Sequence, residues 1–179
     1  MSAEDRSFER TGGRVVHEGK ILTLVIDRFR FADGAEVERE IIRHKGAAGI
    51  VAHDDTHVWL VRQPREAIGD PDFLEIPAGR LDHEGESPLQ AAQRELAEEI
   101  GKAASRWERI TRYVSSAGIS DEVVHVFHAT GLSDRSAESG EHERIEIVRW
   151  PLDDIDGALA ATRDSKTIIG LQWLKLDRG

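Results

Sequence analysis

Apolar and polar residues alternate along much of residues 14–62, and the period lengthens to three or four only at 88–100 and near the C-terminus. Alternation with period two predicts strands, here 14–17, 21–31 and 35–42, with Asp33-Gly34 turning the last two into a hairpin. A second hairpin is expected from 47–53 and 58–62, turning at Asp54-Asp55. A loop carrying Gly69, Asp70 and Pro71 precedes a short strand at 73–76, after which a glycine-containing loop is expected. Further strands fall at 110–114, 122–129 and 145–151, a polar loop at 133–142, and helical stretches near 153–161 and 166–176. Residues 1–12 read as loose.

The segment 88–100 predicts a helix at both ends. Ser87 is a suitable N-cap with Gln90 three residues on, Pro88 sits where its missing N–H costs nothing, and Gly101 supplies the stop. Leu89, Ala92, Leu96 and Ile100 recur at helical spacing and are expected to face the core. Strands dominate, with a few helices on their faces, so the expected class is an α/β or α+β sandwich and not a parallel doubly wound sheet.

Composition narrows the chemistry. The 179 residues, 39% hydrophobic and 32% charged, suit one folded domain. No apolar run approaches the ~18 residues of a membrane span. Residues 1–13 lack the apolar core of a secretory signal. With no cysteine, the chain has no disulfide, thiolate metal site or cysteine nucleophile. These features lead us to expect a cytoplasmic protein. The formal charge of −10 disfavours nucleic-acid binding, and it makes any phosphate substrate depend on bridging cations. There is no Walker A loop, dinucleotide glycine motif, nucleophile elbow or HExxH pair.

The chemically informative stretch is Arg94-Glu95-Leu96-Ala97-Glu98-Glu99-Ile100-Gly101. On a helix, Glu95, Glu98 and Glu99 share one face, where they repel one another and oppose the helix dipole near its C-terminus. Hard divalent cations relieve both penalties, since they prefer carboxylate oxygen. Taken alone, E-x-x-E-E is a solvated acidic face; the surrounding residues change that reading.

Gly79, Glu86 and the octapeptide from Arg94 resemble the Nudix box, Gly-x5-Glu-x7-Arg-Glu-U-x-Glu-Glu-x-Gly-U, with U aliphatic. Two departures stand out: six residues separate Gly79 from Glu86, and Lys102 occupies the final aliphatic position. Glu75-Ile76-Pro77-Ala78-Gly79-Arg80, His44-Lys45-Gly46-Ala47-Ala48, Leu60-Val61-Arg62-Gln63, Ala117-Gly118-Ile119-Ser120-Asp121-Glu122 and Asp164-Ser165-Lys166-Thr167 are similar to the ADP-ribose pyrophosphatase branch.

The resemblance implies a Nudix-type α/β/α sandwich with a mixed sheet and N-terminal antiparallel strands. It implies a single domain in which 1–45 serve dimerisation and 46–179 form the catalytic core. Glu95, Glu99, Glu98 and the Ala78 carbonyl become metal ligands for Mg²⁺ or Mn²⁺, Glu98 also counting as catalytic. Glu86 and Arg94 hold the loop carrying Gly79. Arg65 contacts substrate phosphate, and Arg39 reaches the site across a homodimer. The general base is expected on the late acidic loop, as Glu141 or Glu143, with Glu138 nearby. The reaction implied is hydrolysis of a nucleoside-diphosphate sugar, with ADP-ribose giving AMP and ribose 5-phosphate. GDP-mannose or ADP-glucose hydrolysis and a non-catalytic nucleotide sensor are the alternatives. Some branch members stack adenine on an aromatic residue after a glycine in the N-terminal strands, but here Gly19 is followed by Lys20 and Ile21.

Overall fold

The structure is a computed structural model describing residues 6–136 and 144–178. The chain divides into two compact units, residues 1–45 with 114–123, and residues 46–113 with 124–179.

The first unit is a three-stranded antiparallel sheet of β1 (Phe8–Glu18), β2 (Leu22–Phe31) and β3 (Glu36–His44), in that order. Strand β1 begins at Phe8, within the stretch expected to be loose; the pairing from Phe8↔Phe31 to Glu18↔Thr23 holds it in place despite Gly12 and Gly13 and two register shifts. The β2–β3 hairpin forms as expected, with Gly34 at φ 86. Asp27 is 1% exposed and lies between Arg10, at 2.8 Å, and Arg43. The Arg10 hydrogen bond holds its carboxyl below the usual range; burial opposes this and Arg43 reinforces it. Residues 114–123 return to this unit, where the Ile42 amide donates to the Ile119 carbonyl and Arg43 reaches Asp121.

The second unit is built on a mixed sheet. Its main path is β10 (Glu146–Pro151), β5 (His57–Arg65), β4 (Ala47–His53), β9 (Val123–Asp134) and β8 (Lys102–Val114). The short β6 (Asp70–Glu75) pairs with β5, and β7 (Ala78–Arg80) with β4. Strands β4 and β9 run parallel and the β4–β5 pair antiparallel. The expected loops after 76 and at 133–142 are thus shorter than the pattern suggests, since 78–80 is a strand and β9 continues to Asp134, and β8 starts at Lys102, ahead of the strand expected at 110. In β8 the exposed Ser105, Arg106, Glu108, Arg109 and Arg112 interrupt the apolar positions, so its alternation is masked.

Alternation within the strands divides the core. Ala48, Ile50 and Ala52 of β4, Val61 of β5, and Phe127 and Ala129 of β9 face α1 (Pro88–Ile100), through Ala91, Ala92, Leu96 and Ile100. Val51, Val58, Leu60, Val124 and Val126 face the opposite side, against α2 (Ile155–Ala161) and α3 (Ser165–Arg178). Helices therefore cover both faces of the sheet, and each fully buried Leu or Ile contributes about 1.5–3 kcal/mol. Val51 lies so close to Gly170 that a Cβ there would meet its Cγ2 at 2.5 Å, which brings α3 down onto β4.

Helix α1 keeps its expected ends. Ser87 and Gln90 form a full capping box, and Gly101 is left-handed at φ 66. One expectation fails: Leu89 is exposed. It lies in the first turn, beside the cap and ahead of the stripe 91–92, 95–97 and 99–100 that is buried. No helix among the described residues is long and apolar enough to cross a membrane.

Candidate active site

The carboxylates of α1 divide by burial. Glu95 is 9% exposed and Glu99 8%, although both are charged residues in a helix flanking the core. Burying such groups is costly unless partners compensate, and both have them. The Ala78 amide donates to Glu99 Oε2 at 2.9 Å. Arg94 Nη1 donates to Glu95 Oε1 at 2.6 Å and to Glu98 Oε2 at 3.0 Å.

Arg94 organises the other side as well. Its Nε and Nη2 donate to Glu86 Oε1 and Oε2, both at 3.0 Å, and Nη2 reaches the Arg80 carbonyl at 3.3 Å. One guanidinium thus joins the loop residue Glu86, the end of β7 and two helical carboxylates. Its hydrogen bond to Glu86, set against burial and joined by Glu95 and Glu98, raises its pKa beyond the already high arginine value. The six-residue spacing between Gly79 and Glu86 is accommodated in the loop without breaking this clasp.

Gly79 is required by contact. A Cβ there would lie 1.8 Å from Glu95 Oε1 and 1.9 Å from its Cδ. The backbone of 78–79 therefore presses directly on the carboxylates of α1, with no room for a side chain.

Arg65, at the end of β5, donates from Nε to Glu75 Oε1 at 2.7 Å. Burial lowers its pKa, but Glu75 outweighs this, aided by the charges of Glu99 and Asp164, so the net shift is upward. Arg65 therefore lies within electrostatic reach of the buried Glu99. Arg39 belongs to the first unit. It lines a cavity of about 440 Å³ with Phe29, Phe31, Ile41, Ser120 and Asp121, and its Nη1 donates to the Glu38 carbonyl at 2.9 Å. Glu138, Glu141 and Glu143 lie outside the described residues.

The donors gathered around α1 are all oxygens, which suits a hard cation. As their side chains stand, no three acidic or histidine groups among the described residues converge at metal-binding distance. Arg94 and the Ala78 amide hold these oxygens in their present orientation.

Pattern reading assigned no role to the buried Glu75, to Lys166 or to the half-buried pair His53–His128. Glu75 was visible as a lone acid inside the apolar run Phe73-Leu74-Glu75-Ile76. The pairings of Lys166 with Glu75 and of His53 with His128 gave no local signal, because the partners lie about 75–91 residues apart.

The NUDIX domain family profile matches residues 43–174. The chain is 33% identical to the methanol dehydrogenase activator of Bacillus methanolicus over 166 residues, covering 90% of this chain and 89% of that one. It is 38% identical to the ADP-ribose pyrophosphatase of Mycobacterium tuberculosis over 144 residues, covering 80% and 69%. A crystal structure of an ADP compounds hydrolase superposes with a TM-score of 0.85 at 23% identity, covering 97% of this chain and 95% of that one, and so shares the fold. With its box residues clasped by Arg94 and its helices on both faces of a mixed sheet, the chain belongs to the Nudix family of pyrophosphohydrolases.

Proposed function

We propose that the protein hydrolyses the diphosphate of a nucleoside-diphosphate sugar, with ADP-ribose as substrate and AMP and ribose 5-phosphate as products, in the cytoplasm and as a homodimer. The observation that carries this reading is the burial of Glu95 and Glu99 against the backbone of Ala78 and Gly79, with Arg65 within electrostatic reach. Buried acids beside an arginine suit a diphosphate bound through divalent cations.

Glu95, Glu98, Glu99 and the Ala78 carbonyl would hold Mg²⁺, with Mn²⁺ as a substitute. Bound there, the ion supplies neutralising charge for the diphosphate and makes a water more acidic. Arg65 donates to a phosphate oxygen of the substrate. Arg94 and Glu86 keep the 79–86 loop against α1. Water adds to phosphorus, the bridging P–O bond breaks, and the water's proton passes to a carboxylate. Glu141, then Glu143, are assigned that last role, with Glu98 close to the reacting group. Arg39, on the wall of the first unit's cavity, is retained as a substrate-binding residue.

The experiment is incubation with ADP-ribose, GDP-mannose and ADP-glucose, each with Mg²⁺ and with EDTA, followed by chromatography of the products. AMP and ribose 5-phosphate formed from ADP-ribose only with metal support the reading. Preference for another nucleotide sugar changes the substrate and keeps the chemistry. Tight binding without cleavage of any of them replaces the enzyme with a nucleotide sensor.

A further inference from the structure

Behind Arg65 lies a buried charge cluster that the proposed chemistry leaves unused. Glu75 ends β6 between Leu74 and Ile76, both buried, and is itself 1% exposed. Its two oxygens serve different cations: Oε1 accepts from Arg65 Nε at 2.7 Å, and Oε2 accepts from Lys166 Nζ. Lys166, in the first turn of α3, also pairs with Asp164 Oδ1 at 3.1 Å. Burial lowers the ammonium's pKa, but Asp164 and Glu75 outweigh it, so Lys166 stays charged.

The surroundings fix this cluster rigidly. Asp164 Oδ2 accepts from the Thr167 amide at 2.9 Å, and the Thr167 hydroxyl accepts from the Ile76 amide at 2.8 Å. Glu75 and its neighbour are therefore both tied to the start of α3. Arg65 is half exposed, and among the described residues only its Nε is engaged by a side chain. Nη1 and Nη2 are left as a fork of donors, the geometry that suits phosphate.

The geometry points to Glu75 and Lys166 as positioning residues that aim the Arg65 fork at the substrate diphosphate. This rests on the assignment of Arg65 to substrate binding. Glu75 fixes the guanidinium by Nε. Lys166 holds Glu75 in place and offsets its charge, so the carboxylate does not fold Arg65 back onto itself. A buried carboxylate with one partner removed closes more tightly on the other, because its remaining lone pairs have no water.

The test is a double-mutant cycle of Lys166→Met and Arg65→Ala, with circular dichroism as a check on folding. Two quantities are read: KM and kcat for ADP-ribose with Mg²⁺, and the Kd of its non-hydrolysable α,β-methylene analogue. K166M is expected to raise KM and Kd by roughly tenfold, the value of one well-aimed hydrogen bond to a charged group, with kcat changing much less. In the R65A background the same substitution adds nothing. An equal further loss there, or unchanged KM and Kd with only a lower melting temperature, overturns the proposal and leaves Lys166 a structural strut. Should K166M not fold, Glu75→Gln replaces it, with the same expectation and the same overturning results. Wild-type protein that binds the analogue without cleaving ADP-ribose removes the hydrolase reading, and the Kd cycle still judges this one. Wild-type protein that does neither overturns both.

Discussion

Arg94 grips Glu86 through two parallel hydrogen bonds, Nε to Oε1 and Nη2 to Oε2, each 3.0 Å long. A lysine cannot reproduce that fork. Arg94→Lys is expected to lower stability by about 1–3 kcal/mol. Because Arg94 also orders Glu95 and Glu98, it should weaken metal affinity by roughly 10–100-fold. Urea denaturation and a Mg²⁺ titration of activity measure the two effects separately. Unchanged metal dependence would confine Arg94 to holding the loop.

Glu98→Gln and Glu99→Gln separate chemistry from folding. Glu99 loses its charge but keeps an acceptor for the Ala78 amide, so the fold survives. Turnover at limiting Mg²⁺ is expected to fall at least about tenfold in each variant. Full activity in both would sink the metal-site assignment.

Gly79→Ala is a test by volume alone. The added methyl would meet Glu95 at 1.8 Å. Either the 78–80 strand or the carboxylate has to move, at a cost of about 1–3 kcal/mol. A calorimetric melt and the KM for Mg²⁺ should both change. A variant identical to wild type in both would mean that Glu95 swings away freely.

His53 and His128 predict a pH dependence of stability. Their Nε2 atoms are 2.9 Å apart, and the rings stack at 5.0 Å between centroids. His53 Nδ1 donates to the Asp54 carbonyl at 2.7 Å, so its Nε2 accepts and His128 Nε2 donates. Burial lowers the pKa of His128; His53 and Arg106 lower it further, while Asp177 and Glu108 raise it less. A base depressed in the folded state stabilises fully above its unfolded pKa of about 6.5, and that contribution is lost as pH falls below it. The urea midpoint should therefore drop between pH 7 and pH 5.5, and His128→Gln should flatten that drop. An unchanged slope in this variant would place the pH response elsewhere.

Asp54 adds a second, more acidic limb. Burial opposes its charge, but hydrogen bonds from the Thr56 and His57 amides and the Thr56 hydroxyl bring its pKa down to about 2. The sign is opposite to that of the histidine in charge but alike in direction. Its contribution is present above about pH 4 and lost as pH falls toward 2. Asp54→Asn should reduce acid sensitivity in that window, as read by fluorescence of the tryptophans.

Legibility followed the range of the interaction. The cap and stop of α1, the β2–β3 hairpin and the two-sided core were readable, because each is written in residues a few positions apart. The Arg94–Glu86 clasp was implied by the resemblance to the box, whose two members lie eight residues apart on one local stretch. Leu89 misled, since periodicity cannot say where along a helix the sheet ends. The start of strand β1, residues 8–13, was missed because its order comes from pairing with β2, not from its own polar composition. Lys166 and Glu75 are 91 residues apart, and neither predicts the other.

Residues 75–79 serve as a ruler within the second unit. At one end Glu75 sets the direction of Arg65; three residues on, the Ala78 amide fixes Glu99, and next to it Gly79 abuts Glu95. A substitution that lengthened or bent this stretch, at Pro77 for example, would shift the Arg65 guanidinium against the acids of α1. The length of five residues thus sets the spacing between them. Directed evolution aimed at new substrates would do better to leave these five positions alone.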